Sequence, residues 1–435
     1  MDRTKTLLAF LGAVALTALV TALLVSIIER QQEARVSYFK VVEIPEDEPD
    51  PRVWGQNFRG QYEAYSRTDR TSDLVQYSKY GRYGGSEAFS RLDKYPQYLR
   101  LFAGYPFSVE YREDRGHLKA VEDVLETKRL GDQKPGTCLT CKTSNAPRLM
   151  KTLGPERFYG TPLKELVAQN EPVHPISCAD CHDANTMALR VARPAFLEAM
   201  AQRGIDVSKA TRQEARTYAC AQCHVEYYFQ GPGKYLVFPW AKGQRLDDIE
   251  AYYDEIGFKD WDHEETRSPL VKVQHPESEL WSTGIHAQAG VTCPDCHMPY
   301  KREGAVKITD HWIRSPLVNL TNSCGTCHRL SEGELRERVI QSQDRTFALL
   351  SRAEAAILAA QDAMMEAMAR GAPDRALEEA RRLHRRAFIR WDFVSAENSM
   401  GFHSPQEAGR ILGDAIDYAR QAELAALRAS QEQGR

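Results

Sequence analysis

Ten cysteines fall into five pairs of one spacing, and none is left over. In order they stand as Cys138-Leu-Thr-Cys141-Lys142, Cys178-Ala-Asp-Cys181-His182, Cys220-Ala-Gln-Cys223-His224, Cys293-Pro-Asp-Cys296-His297 and Cys324-Gly-Thr-Cys327-His328. Two thiols three positions apart share one turn, so both can add to the vinyl groups of a single porphyrin. The next side chain then rises under the iron as an axial ligand, and four of the pairs carry the Cys-x-x-Cys-His signature of c-type haem attachment. A zinc ribbon needs paired Cys-x-x-Cys units or added histidines, but not a histidine directly after each second cysteine. Disulfide frameworks belong to short secreted chains, whereas this chain has 435 residues. The expectation is five covalently bound haem c groups.

The first pair differs, because Lys142 stands where the others have histidine. An amine must lose its proton to bind iron, which is costly for a group with a reference pKa near 10.4. Two readings stay open on spacing alone. Either this haem is ordinary and takes its ligand from elsewhere, or its iron has an amine below and an open face above for a substrate. Ligands are in supply: twelve histidines less the four in the motifs leave His117, His174, His263, His275, His286, His311, His384 and His403. Spacing does not say which four cap the irons of the histidine motifs.

The elements that must position these groups read as mainly α. Residues 31–330 form a loop-rich haem-binding body, and residues 331–435 form long helices continuous with it. Residues 54–115 are aromatic and turn-rich, with Tyr77, Tyr80, Tyr83 and Gly84-Gly85, which suggests short helices joined by loops. The insertion Val225–Thr292 is rich in Gly, Pro and Trp and suggests functional loops more than regular structure. From Ser331 to Arg370 the chain is dense in strong helix formers. Gly371-Ala-Pro373 breaks that run, a second helix follows from Asp374 to about Val394, and a third spans roughly Ser404–Glu432. Helices of this length pack a core and often a second subunit.

At the N-terminus (residues 1–30), Leu7–Ile28 carries no charge and is long enough to span a bilayer. Arg3 and Lys5 precede it, which favours an inside N-terminus and an exported body on the periplasmic side of the inner membrane. A cleaved signal peptide is the alternative, although its apolar core would be unusually long. Residues 35–50 read as a linker ending in Glu43-Ile-Pro-Glu-Asp-Glu-Pro-Asp50. The formal net charge of −3 gives nucleic-acid binding no electrostatic support.

One Cys-x-x-Cys-Lys followed by four Cys-x-x-Cys-His, in that order, resembles the ammonia-forming cytochrome c nitrite reductases. The likeness runs from about Trp54 into the C-terminal helices. It includes Arg115-Gly-His117, Glu226-Tyr227, Lys272-Val-Gln274-His275 and Met400-Gly-Phe-His403-Ser. The resemblance implies that Lys142 is the proximal ligand of the active haem, with Arg129, Tyr227 and His275 on its other side. It implies that His117 caps the third haem, His311 the second, His403 the fourth and His286 the fifth. It also implies one calcium ion held by Glu226, the Tyr227 and Lys272 carbonyls and Gln274. The expected activity is reduction of nitrite to ammonium, with electrons from a membrane-anchored or soluble cytochrome and a homodimeric assembly.

Each pocket residue also has a plainer reading. Arg129 lies in the charged stretch Glu126-Thr-Lys-Arg129 and could face solvent, Tyr227 sits beside Tyr228 and Phe229 as core residues do, and His275 precedes Pro276 as a loop histidine would. Two other functions compete. A non-catalytic multihaem electron carrier predicts two protein ligands on every iron, and a related reductase predicts hydroxylamine or sulfite as the main substrate.

Overall fold

The computed structural model describes residues 3–33, 40–70, 76–78, 81–82, 88–113, 115–131, 134–170, 172–304 and 306–432. Tyr80, Tyr83, Gly84-Gly85 and linker residues 35–39 lie outside them. Helices dominate, and among the described residues the strands form four two-stranded antiparallel sheets.

The C-terminal third is three long helices, Glu332–Ala369, Glu378–Ala396 and Pro405–Glu432. Ser331 starts the first by accepting the Glu334 amide while Glu334 reaches back to the Ser331 amide, a capping box that satisfies two end donors. Gly371, at φ 86°, turns the chain out of that helix where a side chain would be strained. Alanines at 353, 356, 360, 408, 415, 419 and 422 are fully buried, letting the helices approach closely. The middle helix is buried along most of its length and feeds Phe388 and Trp391 into an aromatic core. Phe102 meets Phe388 edge-on at 5.5 Å and Tyr98 meets Trp391 edge-on at 5.2 Å, so segments far apart in sequence share one core.

Among the described residues of 54–115, short helices joined by loops dominate, as the turn-rich composition suggests, beside one small hairpin of Gln76–Ser78 with Gly81–Arg82. The insertion is more regular than its composition suggests. Strands Tyr228–Gln230 and Tyr235–Val237 pair around Gly231, which takes the left-handed conformation, and Asp247 and Asp248 favour the start of helix Leu246–Glu255. At the N-terminus, the helix Arg3–Glu33 is long and apolar enough over Arg3–Glu29 to cross a membrane.

Candidate active site

The cysteine motifs owe their shape to local capping. Cys178–Cys181 is one helical turn in which Asp180 accepts the Ser177 amide, and Cys293–His297 repeats the device with Asp295 and Thr292. The acidic residue inside these motifs is thus a helix-starting residue. His182, His224 and His328 each donate their amide to the carbonyl of the first cysteine of their own motif, at 2.9, 3.1 and 2.9 Å. The following histidine therefore rises one turn above its thiols. Cys138 instead lies in the 3-10 turn Gly136–Leu139, and the Lys142 amide continues that turn to the Leu139 carbonyl at 3.0 Å.

Motif one is sewn into place by its neighbours. The Gly136 amide donates to the Thr161 carbonyl at 2.7 Å, and Thr137 Oγ1 donates to the Lys234 carbonyl at 2.6 Å. A methyl on Gly136 would collide with the Phe158 carbonyl oxygen and the Leu166 side chain, so only glycine fits. Gly136→Ala is expected to cost about 1–3 kcal/mol by overpacking, read as a lower unfolding midpoint with lower haem occupancy at motif one.

The motifs form a continuous cluster. The Cys141 sulfur neighbours that of Cys223, and the Cys220 sulfur that of Cys293. Cys296 is a charge neighbour of Cys324 and Cys327, and Cys220 of Cys181. The spatial order is therefore one, three, four, five, with motif two beside three.

Histidines distant in sequence meet the motif histidines in four pairs. Ring centres are 6.3 Å apart for His117 and His224, 6.4 Å for His311 and His182, 6.3 Å for His403 and His297, and 6.2 Å for His286 and His328. Two imidazoles on one iron, with metal–nitrogen bonds of about 2 Å and roughly 1.1 Å from nitrogen to ring centre, need about 6.2 Å. The spacing in all four pairs fits an iron between them. Burial pushes His117, His297 and His311 down to about 4, which keeps them neutral as metal ligands must be. His182 and His297 turn Nδ1 to the Met187 and Arg314 carbonyls at 3.0 and 3.1 Å, and His311 turns its Nδ1 to the Thr309 carbonyl at 3.0 Å. At His403 burial works against the charge, but the buried Glu397 carboxylate, 2.5 Å from Nδ1, holds the imidazole above its ordinary value. Of the other histidines, His263 and His384 form a buried pair that flanks Gln361.

Lys142 has different company. It is half-buried, and its charge neighbours include His117 and Cys138. Tyr227 is half-buried; burial pushes its hydroxyl up, and Cys141, Cys138, Arg129 and Glu226 are its charge neighbours. Arg129 does not face open solvent but lies half-buried with its guanidinium 4.2 Å from the centre of the Phe107 ring. Its loop is held by Glu110, which accepts Thr127 Oγ1 at 2.9 Å and the Lys128 amide at 2.8 Å. His275 is half-buried in a segment running beside motif three, where the Ser278 amide donates to the His224 carbonyl at 3.1 Å.

Glu226 is fully buried, accepting the Tyr253 hydroxyl at 2.8 Å and the Gln274 amide at 2.5 Å. The Gln274 side-chain amide lies 3.0 Å from the Lys272 carbonyl. That contact is a hydrogen bond from the Gln274 nitrogen, but burial pushes the Glu226 carboxyl well up, a cost that a bound cation would offset. With the Gln274 amide turned to present its oxygen, the carboxylate, carbonyl and amide are the oxygen donors that calcium prefers. Sequence reasoning missed Asp260, Asp392, Phe107 and Glu110, which hold these segments from remote positions.

A family model for cytochrome c552 matches residues 50–435. The chain belongs to the cytochrome c552 family. Haem c is the cofactor of that family. Cytochrome c-552 of Bacteroides fragilis is 43% identical over 436 residues, covering 98% of this chain and 87% of that protein. The Porphyromonas gingivalis protein of the same name is 40% identical over 418 residues, covering 94% and 82%. Among solved structures, the catalytic subunit of cytochrome c nitrite reductase from Desulfovibrio desulfuricans matches with a TM-score of 0.81 and 32% identity, covering 91% of this chain and 88% of that one. That structure has two calcium sites.

Proposed function

We propose that this cytochrome c552 reduces nitrite to ammonium, consuming six electrons and eight protons, with five haem c groups and one calcium ion. The observation that carries the reading is the contrast between motifs. Four histidine motifs each face a second imidazole, while the lysine motif shares its surroundings with Arg129 and Tyr227. The similarity to a cytochrome c nitrite reductase over 91% of the chain supports the same reading.

When bound, the haem on Cys138 and Cys141 supplies the redox-active iron, and the other four relay electrons to it. Lys142 would hold that iron from one side through its neutral amine. Arg129 binds an oxygen of the nitrite anion by charge-assisted hydrogen bonds. His275 donates protons as N–O bonds break. The Tyr227 hydroxyl, kept protonated by burial, donates a hydrogen bond that orients the substrate. Calcium would be held by Glu226, the Tyr227 and Lys272 carbonyls and Gln274, fixing the two segments that carry Tyr227 and His275.

The N-terminal helix is proposed to remain as a membrane anchor. The segment after it docks on motif two: Ile44 packs with Ala179, Asp47 pairs with Arg190 at 2.7 Å, and Ser177 Oγ donates to the Pro49 carbonyl at 3.2 Å. Fully extended chain from Glu33 to Lys40 reaches at most about 25 Å. The tether therefore keeps motif two close to the periplasmic membrane surface, which favours a membrane-anchored cytochrome as donor. The long helices are proposed to pair two copies in a homodimer, with Leu424, at 53% exposure, on the last of them.

The test is steady-state assay of the haem-loaded protein with reduced viologen, nitrite and ammonium both measured. One ammonium per nitrite is expected; absence of turnover, or release of nitric oxide as the end product, contradicts the reading. Arg129→Gln is expected to raise the nitrite KM about ten- to hundredfold, the worth of a hydrogen bond to a charged group, with haem content unchanged.

A further inference from the structure

We propose that the buried Lys272–Asp392 pair is a positioning clamp for the pocket, acting on His275 and the calcium ligands through the main chain and on Arg129 through Phe107. The proposal rests on the assignment of those residues to the pocket.

Three successive amides of this segment each end on a different carboxyl group, half-buried at Asp260 and fully buried at Asp392 and Glu226. The Lys272 amide donates to Asp260 at 2.8 Å, the Val273 amide to Asp392 at 2.8 Å, and the Gln274 amide to Glu226 at 2.5 Å. Asp260 lies in a short hairpin region, Asp392 on the middle long helix, and Glu226 directly after motif three. The stretch is thus pinned from three elements, one residue short of His275. Hydrogen bonds to charged acceptors are the strong class, and the Val273 bond to Asp392, whose carboxylate is paired with Lys272, is fully shielded from water.

Asp392 is the acceptor that does more than hold an amide. Its carboxylate, fully buried, also pairs with Lys272 Nζ at 3.0 Å. That ammonium stands within 4.8 Å of the Phe107 ring centre, 5.3 Å of Tyr111 and 5.5 Å of Phe102, an aromatic box of the kind that stabilises a desolvated cation. Phe107 is the same ring on which the Arg129 guanidinium lies at 4.2 Å. Lys272 therefore joins two jobs in one residue. Its carbonyl is one of the proposed calcium ligands, while its side chain supports the ring that seats the anion-binding arginine. The ammonium and carboxylate cancel in net charge, so the pair contributes geometry rather than potential.

The test uses the haem-loaded protein, wild type against Asp392→Asn and against Lys272→Met/Asp392→Leu. The single variant strands a buried cation. The double variant replaces the pair with apolar groups of similar volume, a change that buried pairs often tolerate. Hydrogen exchange of the peptide spanning residues 270–276 and the calcium dissociation constant are measured. In both variants, exchange in that peptide is expected to quicken at least tenfold, and calcium to bind about 10–100-fold more weakly, as for lost outer-shell support. Haem content and the low-spin spectrum are expected to match wild type. Wild-type exchange and calcium affinity in the double variant overturn the proposal. So does an even loss of protection across the long helices, which would make the pair a general stability element. Neither readout involves turnover, so failure of the nitrite reading would show separately in the viologen assay.

Discussion

Lys142→His leaves all five haems attached and lowers nitrite reduction by more than about a hundredfold, the upper end for changes that only support a metal ligand. Attachment survives because Cys138 and Cys141 make the thioether bonds and are untouched. Activity falls because axial-ligand identity is one of the protein's main controls on haem iron, and an imidazole would stand in for the amine at the motif whose surroundings include Arg129 and Tyr227. The spectrum changes for one haem of five, since the paired histidines of the other four motifs stay in place. Mass spectrometry of the holoprotein, visible spectroscopy and the viologen assay check the three parts together. An unchanged rate and spectrum would remove position 142 from the chemistry.

His275→Asn comes second in expected size. A positioned acid that donates protons in the rate-determining region is worth about 10²–10⁴ in rate, so kcat is expected to fall within that range. KM is expected to move little, because Arg129 still holds the anion. Asparagine keeps a hydrogen-bond donor of similar reach but cannot give up its proton, which separates proton donation from orientation. If KM rises while kcat holds, His275 binds substrate and another group delivers protons.

The covalent chemistry was the most legible part of the sequence. Cys-x-x-Cys-His is local, and the turn that brings thiols and histidine together needs only five residues. The long helices were legible for the same reason: Ser331, Gly371 and Pro405 mark ends that the structure places within a residue or two of where they were read. The pairing of distal histidines is not readable from spacing; the family resemblance implies it, and the ring distances fit it. The supports of the pocket were not legible at all. Asp392 accepts the Val273 amide from 119 positions away, and Phe107 seats Arg129 although the local sequence suggests an ordinary charged loop. No periodicity records such contacts, because they follow from how the middle helix packs on the insertion. The insertion suggests loops because its glycine, proline and tryptophan content masks its short hairpins.

The most direct measurement is a nitrite titration of the oxidised, purified protein followed by visible and electron paramagnetic resonance spectroscopy. With an amine below one iron and a vacant position above it, one haem in five should change its spectrum on binding nitrite while four low-spin signals stay fixed. Five low-spin haems indifferent to nitrite would mean that every iron is already capped on both faces, and the chain would then conduct electrons without performing the reaction.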